Sequence, residues 1–184
     1  SMPKGEGGML AILGLKVEEV EKILKDNKNN FEAQVANDNS DGQIVLSGRT
    51  KDLKFLSEFL REKKIKNIKL PVSAPFHCDL MSKATEVMKK ELQKIDFKQS
   101  KNILISNVTA NEVNSIEDLK SLLIDQIEKK VRWRESIINM INKGVNQFIE
   151  IGPGKVLSGL VKRINKNVKI SSINSQSDIE SLNT

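Results

Sequence analysis

Phe31-Glu32-Ala33-Gln34-Val35, then Asn39-Ser40-Asp41-Gly42, then Ile44-Val45-Leu46 is the stretch on which the fold turns. Phe31, Ala33 and Val35 alternate with polar residues, as a half-buried strand does. Asn39-Ser40-Asp41-Gly42 is rich in turn residues, and the apolar run after it reads as a second strand. Working outward, Val17, Val20, Ile23 and Leu24 recur at helical spacing upstream, and Leu53, Leu56, Phe59 and Leu60 do so downstream. A short apolar run at Met9 to Leu13 and another at Ile65, Ile68 and Leu70 close the series. Strand, helix, strand, strand, helix, strand is the order of a ferredoxin-like split βαβ module, expected here over residues 5–70 and able to fold without the rest.

Pro71 and Pro75 mark the boundary of that module. Beyond them Leu80, Met81, Ala84, Val87, Met88, Leu92 and Ile95 trace one face of a helix, and Ile103 to Val108 reads as a buried strand. Further helices are expected at Ile116, Leu119, Leu123 and Ile127, and at Trp133, Ile137, Ile138 and Ile141. A strand at Phe148 to Ile151 runs through Gly152-Pro153-Gly154 into a helix at Leu157, Leu160, Val161 and Ile164, followed by a strand at Val168 to Ile170. The alternation predicts a parallel α/β layer over residues 71–184, ending in a polar stretch with a short helix capped by Ser177.

At 184 residues, 38% hydrophobic and 29% charged, the chain has the make-up of a soluble globular protein and can bury a core. Its longest apolar stretch, Met9 to Leu15, is too short for a membrane span and follows no basic segment, so neither a span nor a signal peptide is expected. The cytoplasm or an organelle matrix is the expected location. Cys78 is the sole cysteine, which excludes internal disulfides and all-cysteine metal sites, and no other metal-ligand spacing appears. The net charge of +6 comes from lysines interleaved with acids, the pattern of solvated helix faces. A mild positive field also favours phosphate-bearing or acidic partners.

His77, the sole histidine, ends the Pro71-Val72-Ser73-Ala74-Pro75-Phe76-His77 loop directly before a helical pattern. It reads either as a general base or as a packing residue. Gln126 puts an amide into the apolar stripe of its helix, where it needs partners, or else sits at the stripe's edge in water. Asn107 ends the expected buried strand, the place where parallel sheets gather ligands. Gly152-Pro153-Gly154 opens a helix whose free amides can bind an anion, although such turns are common. Cys78 beside His77 reads as a buried, inert thiol. There is no Gly-x-Ser-x-Gly nucleophile elbow, so the chain resembles half an active site, with a base and no nucleophile.

Gly5-Glu6-Gly7-Gly8-Met9-Leu10-Ala11, Val35 to Asn39, Gly42 to Gly48, Leu70 to His77, Asn107-Val108-Thr109, Val131-Arg132-Trp133 and Glu150 to Leu157 follow one another in a characteristic order. Together they resemble the malonyl-CoA:acyl carrier protein transacylases and the related acyltransferase domains of fatty-acid and polyketide synthases. The resemblance implies a ferredoxin-like small subdomain and a hydrolase-like α/β core. Family members begin with a further segment bearing the serine nucleophile, an oxyanion-hole glutamine and the arginine that pairs with the malonyl carboxylate. None of these is here, and Ser1-Met2 reads as a vector remnant or trimmed start. The chain is therefore expected to be a C-terminal portion with an incomplete α/β layer, inactive alone.

The resemblance also implies ping-pong transfer of malonyl from coenzyme A through a serine ester to a phosphopantetheine thiol. His77 matches the base that deprotonates the serine and protonates the leaving thiolate, and the backbone carbonyl at Gln126 orients its ring. Phe76 matches a residue that narrows the acyl pocket against methylmalonyl. Asn37, Asn39 and Asn107 match residues lining the cleft between subdomains. The implied partners are malonyl-CoA and acyl carrier protein, with no cofactor beyond the partner's phosphopantetheine and no metal, nucleic acid or membrane; the complete protein is expected to be a monomer. A polyketide-synthase domain and a non-catalytic carrier-docking fragment are the alternatives. A nucleic-acid-binding module is disfavoured, because the candidate strands carry almost no exposed aromatics.

Overall fold

The computed structural model describes Pro3 and residues 5–182, so the Ser1-Met2 start lies outside the described residues. The first apolar run forms β1 (Gly7–Leu13), buried along nearly its whole length. It pairs antiparallel with β3 (Gln43–Arg49) on one side and with β4 (Asn67–Lys69) on the other. β2 (Ala33–Ser40) pairs antiparallel with the far edge of β3, giving the order β2-β3-β1-β4. α1 (Val17–Asp26) joins β1 to β2, and α2 (Thr50–Glu62) joins β3 to β4.

The period of two along each strand sorts the core. Leu10, Ile12, Ile44 and Leu46 pack with Val17, Val20, Phe31, Leu53, Leu56 and Leu60 in the main cluster. Met9, Ala11, Ala36 and Val45 form a smaller cluster, against which Leu70 and Val72 pack. α1 starts where the Lys16 amide donates to the Glu19 carboxylate at 2.8 Å, with Glu18 and Glu19 in the first turn, where carboxylates complement the helix dipole.

β2 departs from the expected strand. It runs on through Asn39 and Ser40, and only Asp41-Gly42 is left to turn. Two register shifts, between Val35 and Asn37 and between Asp38 and Ser40, each add a residue, so Ala36, Asp38 and Ser40 are all buried. The turn-like residues are held in a strand because another segment pairs with them. Val131 donates its amide to Ala36 and accepts the Asp38 amide, at 2.8 and 2.9 Å. The buried Asp38 carboxylate is met by Arg134, whose Nε lies 3.0 Å from both oxygens and whose Nη2 lies 2.9 Å from Oδ2. A buried charge without such a partner costs several kcal/mol, roughly.

The strand expected at Ile103 to Val108 does not form. Ile103 is 75% exposed, and the segment turns back on itself, with an isolated bridge from Ile105 to Glu112 and bonds from Ser106 to Asn111 and from Val113 to Leu104. A strand needs a neighbour to take up its amides and carbonyls, and this one is its own. Around it lie α3 (Ser82–Gln93), α4 (Ile116–Asp125) and the start of α5 (Trp133–Asn142). Val87 and Met88 on α3, expected to face a core, are exposed. Ser115 caps α4 by accepting the Asp118 amide at 3.0 Å.

The chain divides into two compact units, Ser1–Ser136 and Ile137–Thr184, the division falling inside α5. In the second unit β5 (Gln147–Ile151) and β6 (Lys169–Ile173) pair in parallel, with α6 (Val156–Ile164) between them in sequence and α7 (Gln176–Leu182) after them. The free amides opening α6 are already occupied by the chain's own carboxylate. Glu150 accepts from Leu157 and Ser158 at 3.0 and 2.7 Å, and bonds from Ser158 and then Leu157 hold its carboxyl below the usual range. At α7 the Asp178 carboxylate takes the Asn174 and Ser175 amides, so the cap forms two residues before the expected Ser177. The described residues thus form a mixed α/β protein with one antiparallel sheet and one small parallel sheet.

Candidate active site

The loop from Pro71 to His77 lies against β1, and a glycine makes that approach possible. A Cβ on Gly7 would run into Cδ and Cγ of Pro75, closer than any side chain tolerates. Pro75 is buried at that contact. One residue on, the hydroxyl of Ser47, itself buried in β3, donates to the Phe76 carbonyl. The His77 amide donates to the Ile127 carbonyl at 3.1 Å. These bonds hold His77 at φ 60°, a left-handed conformation that costs a residue with a Cβ roughly 1–2 kcal/mol.

The His77 ring is fixed as well as its backbone. Nδ1 lies 2.7 Å from the Gln126 carbonyl oxygen. A carbonyl only accepts, so Nδ1 carries the proton, and a neutral ring then presents the lone pair of Nε2. The acceptor follows from helix geometry: the last carbonyls of a helix have no amide one turn ahead. Gln126 is the C-cap of α4, and the amides of Glu128 and Lys129 both turn back to Asp125, leaving the carbonyls of Gln126 and Ile127 to His77.

The Gln126 side chain, half-buried, also finds a partner. Its Oε1 accepts from Nδ2 of Asn107 at 2.9 Å. Asn107 is held in turn, its carbonyl accepting the Arg132 amide at 2.8 Å, while Nη1 of Arg132 donates to the Thr109 carbonyl at 3.1 Å. The same guanidinium pairs with Glu135 and holds that carboxyl below its usual range.

Of the residues singled out from sequence, the structure brings His77, Gln126 and Asn107 into one hydrogen-bonded chain. Phe76 stands beside them with its carbonyl tied to Ser47 and its residue 43% exposed. Asn37 and Asn39 lie half-buried on β2, Asn37 in a parallel bridge with Val131. Cys78 is buried, its thiol donating to the Pro75 carbonyl at 3.1 Å, and burial pushes its titration up, which fits an inert thiol. Among the described residues no cluster of three or more His, Cys, Asp or Glu is placed to hold a metal.

Sequence reasoning missed Ser47, Ile127, Arg132 and the Asp38–Arg134 pair. Ser47 left a signal, since a hydroxyl following Ile44-Val45-Leu46 within a buried strand must find an acceptor. Asp38 and Arg134 left none, being 96 residues apart.

No family model matches the chain. Individual proteins do. It is 43% identical over 182 residues to the malonyl CoA-acyl carrier protein transacylase of Bacillus subtilis (strain 168), an alignment covering 98% of this chain and 57% of that protein. Among solved structures, the malonyl CoA-acyl carrier protein transacylase of Clostridium perfringens superposes with a TM-score of 0.93 at 40% identity, over 98% of this chain and 57% of that one. A type II PKS acyl-carrier protein in complex with its malonyl-transacylase gives 0.92 at 30% identity, over 98% and 59%. The chain is a homologue of these transacylases along nearly its whole length and spans less than three fifths of theirs.

Proposed function

We propose that this chain is part of a malonyl-CoA:acyl carrier protein transacylase of fatty-acid synthesis, contributing the general base while a serine outside these residues supplies the nucleophile. The observation that carries the reading is the 2.7 Å contact from His77 Nδ1 to the Gln126 carbonyl, which leaves Nε2 as the proton acceptor. A carbonyl does here what an aspartate does in a Ser-His-Asp triad: it selects the tautomer and aims the ring. His77 Nε2 takes the serine proton as the thioester is attacked and returns it to the departing coenzyme A thiolate; the carrier's phosphopantetheine thiol then reverses the sequence. No step needs a cofactor beyond that arm.

In this reading residues 5–70 are a ferredoxin-like small subdomain, supported by the order β2-β3-β1-β4, and residues 71–184 are the C-terminal part of a hydrolase-like α/β core. Phe76 narrows the acyl pocket so that malonyl is favoured over methylmalonyl, and Asn37, Asn39 and Asn107 line the cleft. The net charge of +6 suits an acidic carrier protein, and the protein acts as a monomer in the cytoplasm or an organelle matrix.

The test uses a complete transacylase carrying this sequence together with the serine segment. His77→Ala is expected to slow single-turnover acylation by malonyl-CoA, followed by intact mass, by about two to four orders of magnitude. Gln126→Ala keeps the carbonyl and should cost much less. Equal losses for the two, or an unchanged His77→Ala enzyme, would overturn the reading.

A further inference from the structure

We propose that Asn107 is a positioning residue for His77, acting through the side chain of Gln126 to fix the carbonyl that selects the histidine tautomer. The inference rests on the general-base reading above and adds a function for an amide otherwise left to the cleft lining.

The need for such a residue follows from where Gln126 sits. A C-cap carbonyl accepts no amide of its own helix, and helix ends fray, so an anchor beyond the last turn's own bonds helps to keep the Gln126 carbonyl aimed at the histidine. The backbone amide of Gln126 bonds back to Leu122 at 3.0 Å, which secures one side of the residue. The peptide that bears its carbonyl is held by the Ile127 amide, which bonds back to Ile124 at 3.2 Å, and the side chain adds a further, shorter hold to Asn107 at 2.9 Å.

Asn107 is suited to the task because its own turn is rigid. Ser106 accepts the Ala110 amide on its carbonyl at 2.8 Å and the Val108 amide on its hydroxyl at 3.1 Å, and Ala110 is fixed at φ 58°. Arg132 ties the turn down at two further points, the carbonyls of Asn107 and Thr109. A rigid turn thus holds the asparagine, the asparagine holds the glutamine, and the glutamine carbonyl holds the ring. Without that bond, Gln126 keeps its carbonyl but loses one of the constraints on its direction. An imidazole released from Nδ1–H donation then exchanges between its two tautomers.

Because His77 is the sole histidine, the imidazole nitrogens of the uniformly 15N-labelled chain give one spin system. In the uncharged ring the wild type is expected to show Nδ1 as the protonated, pyrrole-type nitrogen and Nε2 as the pyridine type. Asn107→Ala should convert this to an averaged mixture of tautomers, with the backbone amide spectrum of residues 7–69 unchanged. Gln126→Leu breaks the same contact from the other side and should reproduce the effect. Gln126→Glu keeps an oxygen acceptor and should retain the wild-type pattern. A pure Nδ1–H tautomer in either folded disrupting variant overturns the proposal, as does an Nε2–H tautomer in the wild type.

In the complete enzyme, Asn107→Ala should lower kcat by up to about tenfold, well short of His77→Ala, with KM for malonyl-CoA nearly unchanged, the signature of a misaimed group. A rise in KM with kcat retained would mean that Asn107 serves the substrate and not the base. Failure of the catalytic reading looks different, since it would appear as an active His77→Ala enzyme whatever the tautomer.

Discussion

β1 and β5 are similar as sequence and opposite as structure. Met9-Leu10-Ala11-Ile12-Leu13 and Gln147-Phe148-Ile149-Glu150-Ile151 are both short, apolar and suited to a strand. Ile12 in β1 has no exposed surface, whereas Ile151 in β5 is 78% exposed. β1 has a strand on either side and clusters packed on both faces. β5 has one neighbour among the described residues, β6, and its alternate residues Ile149 and Ile151 face outward. Local composition decides that a strand can form; burial depends on what the rest of the chain brings against it.

The sharpest way to break this comparison is to make the same change in both strands. Ile12→Ala should destabilise the protein by about 2–5 kcal/mol, and Ile151→Ala by less than about 0.5 kcal/mol, in urea denaturation followed by circular dichroism. Similar costs at the two positions would mean that Ile151 is covered in solution.

A smaller effect is expected at the other end of β1. Gly7→Ala drives a methyl into the Pro75 ring, and overpacking of this kind costs about 1–3 kcal/mol. Since the ring belongs to the loop that carries His77, the histidine resonances should shift while those of the second unit stay in place. An unperturbed loop would show that the close approach does not anchor it.

The smallest effect concerns charge near the site. Arg132 holds the Glu135 carboxyl below its ordinary value of 4.5. The pair's contribution is therefore complete above that value and is lost as pH falls through the lower value of the folded state. About a third of each side chain is exposed, which limits the pair to roughly 1 kcal/mol or less. Glu135→Gln should lower stability near pH 7 by that amount, and the difference should disappear as pH falls below the lowered value of the folded state, where the wild-type carboxyl is also neutral. A loss that persists in acid would mean that Glu135 acts through packing.

Much of the antiparallel sheet was legible because its signals are clean: short apolar runs in β1 and β3, and a period of three to four in α1 and α2. The expected strand at Ile103 to Val108 was misread, since an apolar run states a preference and cannot state whether a partner strand is present. β2 was cut short for the converse reason. Asn39-Ser40 reads as part of a turn until Val131 and Arg134, far along the chain, bond the neighbouring Ala36 and Asp38.

At the candidate site the sequence by itself determined the parts. A sole histidine after two prolines, an amide in an apolar stripe and an asparagine at the end of an apolar run could each be named from residue type and position. Their connection was decided only by the tertiary structure. Whether Gln126 met water or a partner depended on Asn107, and which tautomer His77 takes depended on the carbonyl its Nδ1 met. Those contacts join residues 19 and 49 positions apart, within about 3 Å, and no local pattern encodes an acceptor at that distance along the chain. It took the end of α4, with two carbonyls released by the helix, to set one nitrogen of His77 as donor and free the other.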